Sequence, residues 1–88
     1  MKVVFESEFQ AHLRDWIQDN KRVAIKVLDL VKAIEQSPFE GIGKPEPLKH
    51  GLSGLWSRRI DQAHRLIYSV NEADNEIIFI SCYGHYTE

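Results

Sequence analysis

Several polar residues in the second half of the chain have side chains that can move protons near a phosphate. Glu46 lies in the segment Lys44-Pro45-Glu46-Pro47-Leu48-Lys49, Arg59 and Arg65 follow, and His85 comes near the end. A carboxylate can take a proton, a histidine can donate one near neutral pH, and guanidinium groups can hold the charge that develops on phosphate oxygens. Together these groups make up a nuclease site, if the elements between them bring them together.

Each of these residues also has an ordinary explanation. A loop glutamate is usually a solvated charge, a histidine near a terminus usually has no role, and an arginine on an edge strand usually guards against aggregation. His50 and His64 are interpreted as structural residues. From the residues alone, an unspecified RNA- or protein-binding module is a better interpretation than a ribonuclease.

Length and composition predict one soluble domain over residues 1–88 and a cytoplasmic location. The chain is 43% hydrophobic and 27% charged, and no apolar run approaches the roughly 18 residues of a membrane helix. The single cysteine, Cys82, has no disulfide or zinc partner in sequence and is interpreted as a small buried residue. The net charge is −2, but five basic and two acidic residues between 44 and 65 give that segment +3, so a polyanion would be met there.

Hydrophobic spacing predicts a strand at residues 2–6 and then two helices. The first begins at Ser7, where Ser7 and Gln10 form a capping-box pattern. Asn20 is expected to cap the second helix, and Pro38 to stop it. Because the two helices are so closely joined, they should form an antiparallel hairpin.

The second half of the chain predicts a long loop followed by three strands. Residues 37–55 hold too many Pro and Gly residues for a regular element. The alternation that follows indicates strands at 56–60, 64–70 and 76–82, with Trp56, Arg58 and Ile60 on one face of the first. A connection of three residues, 61–63, would place Arg59 directly across from Arg65. Two facing arginines repel each other unless an anion, or a carboxylate such as Glu46, lies between them.

The predicted order is β-α-α-β-β-β. The simplest packing is a single α+β domain in which the helical hairpin covers one face of an antiparallel-rich, twisted sheet. The other face of the sheet is then open to a ligand.

The motifs together are more specific than any one of these residues. They are Pro38-Phe39-Glu40-Gly41, the segment from Gly43 to Lys49, Leu52-Ser53-Gly54, the segment from Trp56 to Ile60, His64-Arg65-Leu66, Tyr68 and His85-Tyr86. In these motifs, and over essentially its whole length, the chain resembles the YoeB (Txe) toxins of the RelE/ParE superfamily. The resemblance implies a RelE-like, microbial ribonuclease-type fold and the toxin of a bacterial type II toxin-antitoxin pair.

The resemblance also implies an activity and partners. The activity is that of an endoribonuclease, which enters the ribosomal A site and cuts messenger RNA. The expected partners are the ribosome, the messenger and an antitoxin of the Phd/YefM type, with operator DNA contacted only through the antitoxin and no membrane. The resemblance also allows a homodimer.

Residue roles follow from the same resemblance. Glu46 corresponds to the general base, His85 to the general acid and Arg65 to the group that stabilises the transition state. Lys49, Arg59 and Tyr86 match positions that hold phosphate or base. The implied reaction is attack by the 2′-hydroxyl, which leaves a 2′,3′-cyclic phosphate and requires no cofactor and no metal.

The chain departs from the best-known members in three places, and two other functions stay open. The hairpin before the last strand is longer, Tyr83-Gly84 precedes His85, and Thr87-Glu88 follow Tyr86. One alternative is a non-catalytic toxin of the same fold, such as a gyrase-targeting ParE-like protein, although the presence of both Glu46 and His85 argues against it. The other is an interaction module whose basic groove takes an acidic peptide.

Overall fold

The computed structural model describes residues 1–49 and 54–84. Within them the elements are β1 Lys2–Phe5, α1 Ser7–Asp19, α2 Lys21–Gln36, β2 Glu46–Pro47, β3 Leu55–Arg59, β4 Arg65–Asn71 and β5 Glu76–Ser81. The strands form one sheet in the order β1-β5-β4-β3-β2. β1 runs parallel to β5, and the other neighbours are antiparallel. The predicted α+β fold with a helical hairpin and an antiparallel-rich sheet is confirmed.

The junction between the helices forms as the sequence predicts. Asn20 caps α2, and its side-chain oxygen accepts a hydrogen bond from the backbone N–H of Val23 at 3.4 Å. α2 ends at Gln36, two residues before Pro38, whose ring cannot continue a helix. The very short connection therefore turns the chain back on itself.

The predicted capping box at the start of α1 is wrong. Glu6, not Ser7, occupies the N-cap position, and it makes no side-chain cap hydrogen bond. Ser7 is already helical, because the first turn closes between the N–H of Gln10 and the carbonyl oxygen of Glu6 at 3.1 Å. The start of α1 instead follows from its position directly after β1.

The hydrophobic core lies between the helices and one face of the sheet. Its buried side chains are Phe9, Val27, Leu30, Val31, Ile34, Ile60, Leu66, Tyr68, Ile77, Phe79 and Cys82. The interpretation of Cys82 as a buried residue is confirmed, and burial raises the pKa of its thiol to about 12. The thiol is therefore protonated at neutral pH and is not a nucleophile.

A fifth strand lies in the segment that was predicted to be an irregular loop. Residues 46–47 form β2, which pairs with β3 at the edge of the sheet, so the strand order is β-α-α-β-β-β-β. Proline is tolerated on an edge strand because one side of that strand needs no donor for the ladder. Glu46 therefore lies on the sheet and not in a free loop.

Neither of the two helices in the described part of the chain is long and apolar enough to cross a membrane.

Candidate active site

Strand register brings three of the predicted site residues to the face of the sheet that the helices leave open. Glu46 pairs with Ser57, and Arg59 pairs with Arg65. Paired residues of antiparallel strands point to the same face, and Ser57 and Arg59 are two residues apart on β3, so Glu46, Arg59 and Arg65 share that face. The diagonal from Glu46 to Arg59 is about 7–8 Å. The predicted placement of Arg59 across from Arg65 is confirmed.

The two facing arginines lack the carboxylate that could have separated them. The Arg65 Nη1 donates to two backbone carbonyls, those of Asp61 at 2.7 Å and His64 at 3.0 Å. The side chain of Arg59 is exposed. Within residues 1–49 and 54–84, neither guanidinium forms an ion pair, with Glu46 or with any other carboxylate. Facing like charges are destabilising, so this arrangement favours an anion on the open face.

Arg58 has a different role from its neighbour Arg59. Its side chain is completely buried on the core face, and its Nε donates to the hydroxyl of Tyr68 at 3.3 Å. Its two terminal nitrogens donate to three backbone carbonyls, those of Ser37 at 2.5 Å, Glu40 at 3.1 Å and Ile42 at 3.1 Å. Arg58 is thus a strap that holds the segment after α2 to the sheet.

Tyr68 completes this strap. Its hydroxyl donates to the carbonyl oxygen of Pro38 at 2.6 Å and accepts from Arg58. Burial raises the pKa of the Tyr68 phenol, and the hydrogen bond from Arg58 and the positive charge of that residue offset part of the rise. The phenol therefore stays protonated and keeps donating to Pro38.

The backbone between this strap and Glu46 is also fixed. The N–H of Arg59 donates to the carbonyl oxygen of Gly43 at 2.6 Å. Gly43 has φ of 84°, and a Cβ there would lie only 2.9 Å from a methyl group of Leu30, so a side chain would be strained as well as crowded. Lys44 also has a positive φ, of 50°. The segment that leads to Glu46 is therefore held to the sheet at both ends, by Arg58 at its start and by the pairing of β2 with β3 at its end.

A positively charged pocket of about 360 Å³ adjoins the arginine pair. Lys26 of α2, Lys44 and Arg59 line it, together with Asp61 and the uncharged Gly43, Ile60 and Gln62. Three cations therefore meet one carboxylate in the same concave space. None of the three cations forms an ion pair with another residue of the described ranges.

The end of the described chain lies beside Arg65. The backbone N–H of Arg65 donates to the carbonyl oxygen of Gly84 at 2.7 Å. His85 and Tyr86 follow Gly84 directly in sequence and lie outside the described residues, as do His50 and Glu88. Lys49 is exposed and comes two residues after β2. The structure thus brings together Glu46, Arg59 and Arg65.

Sequence reasoning missed two residues that hold the site in place. Arg58 was counted among the available cations, although its alternation with Trp56 and Ile60 already put it on the core face. His64 was taken as an unspecified structural residue, yet its Nδ1 accepts a hydrogen bond from the N–H of Gly84 at 2.8 Å. That contact spans 20 residues of sequence, and no local pattern could have indicated it.

Possible metal ligands do not cluster in the residues that the structure describes. No group of three or more His, Cys, Asp or Glu side chains lies close enough to hold a metal ion there.

Comparison with known proteins gives one consistent family. Residues 5–86 match the family described as "YoeB-like toxin of bacterial type II toxin-antitoxin system". A curated relative, Toxin YoeB of Synechocystis, is 49% identical over 87 residues, which is 98% of each chain. Among solved structures, a YoeB/ParE toxin from Agrobacterium tumefaciens is 37% identical with a TM-score of 0.91, covering 98% of this chain and 100% of that one.

Two structures from Staphylococcus aureus show the assemblies of a similar protein. One is a YoeB dimer, 39% identical with a TM-score of 0.86, and the other is a YoeB-YefM complex, 40% identical with a TM-score of 0.83. In both comparisons 98% of each chain is covered.

Proposed function

Because the chain belongs to the family of YoeB-like toxins of bacterial type II toxin-antitoxin systems, we propose that it is an endoribonuclease that cuts messenger RNA in the ribosomal A site. One observation carries the proposal: Arg59 and Arg65 face each other on the open face beside Glu46 and form no ion pair within the described residues. Such a pair can bind the phosphate of the RNA, and it can bind the transition state more strongly because negative charge increases there.

The chemistry begins with the 2′-hydroxyl of the substrate. Glu46 takes its proton, the oxygen attacks the adjacent phosphorus, and the bond from phosphorus to the 5′-oxygen breaks. His85 donates a proton to that departing oxygen. The products are a 2′,3′-cyclic phosphate and a 5′-hydroxyl, so atoms and protons balance without a metal or a cofactor.

The remaining groups hold the charge and the substrate. Arg65 stabilises the phosphorane, and Arg59 shares that task, since a planar guanidinium can bind two phosphate oxygens at once. Lys49 contacts phosphate as a point charge, and Tyr86 stacks on a base. The pocket of Lys26 and Lys44 extends the same positive surface, which suits the phosphates that flank the cut.

The contact between Arg65 and Gly84 supports the role of His85. A residue that follows Gly84 has its Cα about 3.8 Å from that of Gly84. The backbone of Gly84 is itself bonded to the backbone of Arg65. The described end of the chain is therefore held at Arg65, which supports the proposal that His85 acts as the proton donor there.

The relatives from Staphylococcus aureus guide the proposed partners. An antitoxin of the Phd/YefM type would neutralise the arginine pair with an acidic segment, and operator DNA would be bound only through that antitoxin. A homodimer of the toxin is the other proposed assembly. The ribosome supplies the messenger, because the net charge of −2 gives the toxin little general attraction for RNA.

The test is to incubate the purified protein with a translated messenger, with and without ribosomes, and to map the new 5′ ends. We expect cuts only with ribosomes. Glu46→Gln and His85→Gln should each lower the cleavage rate by about 10²- to 10⁴-fold, because each removes one proton transfer. Glu72→Gln, in the exposed turn between β4 and β5, is the matched control and should cut like the parent.

Two results would contradict the proposal. If either variant cuts as fast as the parent, the assigned proton transfers are wrong. If the parent cuts nothing in either condition while it binds an acidic peptide tightly, the arginine pair is a peptide-binding site, and the chain is an interaction module.

A further inference from the structure

The segment that leads to His85 is bonded to α1 by its backbone. Cys82 donates its backbone N–H to the Nδ1 of His12 at 3.1 Å and accepts at its carbonyl oxygen from the indole N–H of Trp16 at 2.8 Å. His12, the acceptor, and Trp16, the donor, lie four residues apart on the same side of α1. Cys82 is therefore fixed in position before the chain reaches the site.

Two further hydrogen bonds hold Gly84, two residues after Cys82, and one of them uses a second histidine. Gly84 donates its N–H to the Nδ1 of His64 at 2.8 Å, and its carbonyl oxygen accepts from the N–H of Arg65 at 2.7 Å. His64, just before β4, and Arg65, its first residue, thus hold both backbone groups of Gly84. Any movement of Gly84 away from Arg65 would break one bond or both.

The imidazole of His64 is itself held in place. Its ring lies 4.8 Å from that of Trp16, edge to face, and 4.6 Å from that of Tyr83. Its backbone N–H donates to a side-chain oxygen of Asp61 at 2.8 Å, and its carbonyl oxygen accepts from the Arg65 side chain. A side chain fixed on this many sides can set the position of whatever it binds.

We propose that His64 is a positioning residue of the RNA-cleaving site: by accepting the hydrogen bond from Gly84, it holds the residue before His85 against Arg65. This inference rests on the proposed function. His12 supports the same segment through Cys82. His64 does not touch the reacting atoms, and its effect on cleavage passes through the position of His85.

The hydrogen bond from Gly84 to His64 requires a particular protonation state of the imidazole. An N–H donor can bond only to an unprotonated Nδ1, and an imidazolium carries hydrogen on both nitrogens, so it cannot accept. The charged or titratable groups around His64 are Asp61, Arg65, Tyr83 and, across the Tyr83 ring, His12. The hydrogen bond from Gly84 therefore forms only with the neutral imidazole of His64.

Two substitutions of His64 distinguish the effect of losing the hydrogen-bond acceptor from the effect of losing the volume of the ring. His64→Leu fills similar space without an acceptor, and His64→Asn supplies an amide oxygen near the position of Nδ1. Gln18→Leu, on the exposed face of α1, is the control for an added apolar side chain. Thermal unfolding of each variant monitors the fold.

The first measurement is amide hydrogen exchange of Gly84 by NMR in the free protein, which needs no RNA cleavage. In His64→Leu we expect protection of the Gly84 amide to fall about 10-fold, and in His64→Asn to be largely kept.

The second measurement is cleavage on translating ribosomes. His64→Leu should lower kcat by about 10- to 100-fold with little change in KM, because misplacing a proton donor by about 1 Å costs up to about 100-fold. His64→Asn should restore most of it. Unchanged Gly84 protection in His64→Leu, whatever the parent cuts, would overturn the inference. So would a normal kcat in His64→Leu, or a loss of kcat that His64→Asn does not restore. A parent that cuts nothing but shows the expected protection pattern would contradict the proposed function alone.

Discussion

At the scale of single residues, the proposed site combines groups that are unfavourable for the unliganded protein. Arg59 and Arg65 face each other on neighbouring strands, and neither forms an ion pair with a carboxylate in the part of the chain that the structure describes. Repulsion between them costs folding free energy, and a bound phosphate would remove that cost. The pair should therefore lower the free energy of unfolding of the free toxin and raise its affinity for an anion.

Replacing one arginine should separate these two effects. Arg59→Ala should raise the free energy of unfolding of the free protein by about 0.5 kcal/mol, because it removes the repulsion, while it lowers RNA cleavage. The gain should shrink as salt is added, since exposed charges are screened. Urea unfolding at low and high salt measures it. Arg22→Ala, on exposed α2, is the control, and a destabilised Arg59→Ala would contradict the account.

Cys82 gives a dependence of stability on pH with a definite sign. Burial raises the pKa of its thiol from 9.0 to about 12. The unfolded chain therefore loses this proton first, and the stability that the buried thiol contributes is present below pH 9 and is lost as pH rises toward 12. Between about pH 9 and about pH 11, unfolding free energy should fall less steeply in Cys82→Ala than in the parent. Equal slopes would contradict the pKa shift.

At the scale of elements, the segment between α2 and β2 owes its shape to one buried guanidinium. Arg58 reaches it from β3 and donates to three of its backbone carbonyls. No carboxylate of residues 1–49 and 54–84 forms an ion pair with this guanidinium, so oxygen dipoles and the ring of Tyr68, 5.9 Å away, compensate the burial of its charge. The path of the chain toward Glu46 depends on this strap.

Removing the strap should destabilise the whole fold. Arg58→Met keeps much of the buried volume but leaves the carbonyls unpaired, and it should lower the free energy of unfolding by about 3 kcal/mol. Chemical denaturation measures this. Arg14→Met, on the exposed face of α1, should change stability by less than about 0.5 kcal/mol. Similar effects in the two variants would show that Arg58 does not hold the segment.

The elements also show what could be predicted from sequence and what could not. Alternation along β3 and β4 was enough to place Arg59 against Arg65, because strand side chains have a fixed period of two. β2 was not predicted, because the prolines that border Glu46 argue against a strand inside a sheet, whereas an edge strand tolerates them. The role of Arg58 was missed because charge was given more weight than its core-facing position, and His64 because its partner lies 20 residues away.

At the scale of the molecule, positive charge is concentrated around one end of the sheet. Lys26 from α2 and Lys44 from the segment before β2 meet Arg59 in one pocket, although they are distant in sequence. Residues 1–43 carry a net charge of −1 and residues 66–88 a net charge of −4, so the excess of positive charge is local to residues 44–65. RNA should therefore be held at this end and not over the whole surface.

Charge reversal in the pocket should weaken substrate binding and leave the chemical step intact. Lys26→Glu should raise KM for translating ribosomes several-fold, with kcat little changed, because the contact proposed for this side chain is with a flanking phosphate and not with the reacting atoms. In Lys26→Ala, the slope of log KM against log salt should fall by about 1. Lys32→Glu, on another side of α2, makes the same charge change away from the pocket. Equal effects of the two reversals would remove the pocket from the binding surface.

The parallel pairing of β1 with β5 limits when the sheet can form during synthesis of the chain. β5 stands between β1 and β4 in the sheet, although it is the last strand to be synthesised. A nascent chain that has not yet emerged past residue 81 cannot join its N-terminal strand to the rest of the sheet or close the core over Phe9. The toxin therefore completes its native sheet only after β5 has emerged from the ribosome.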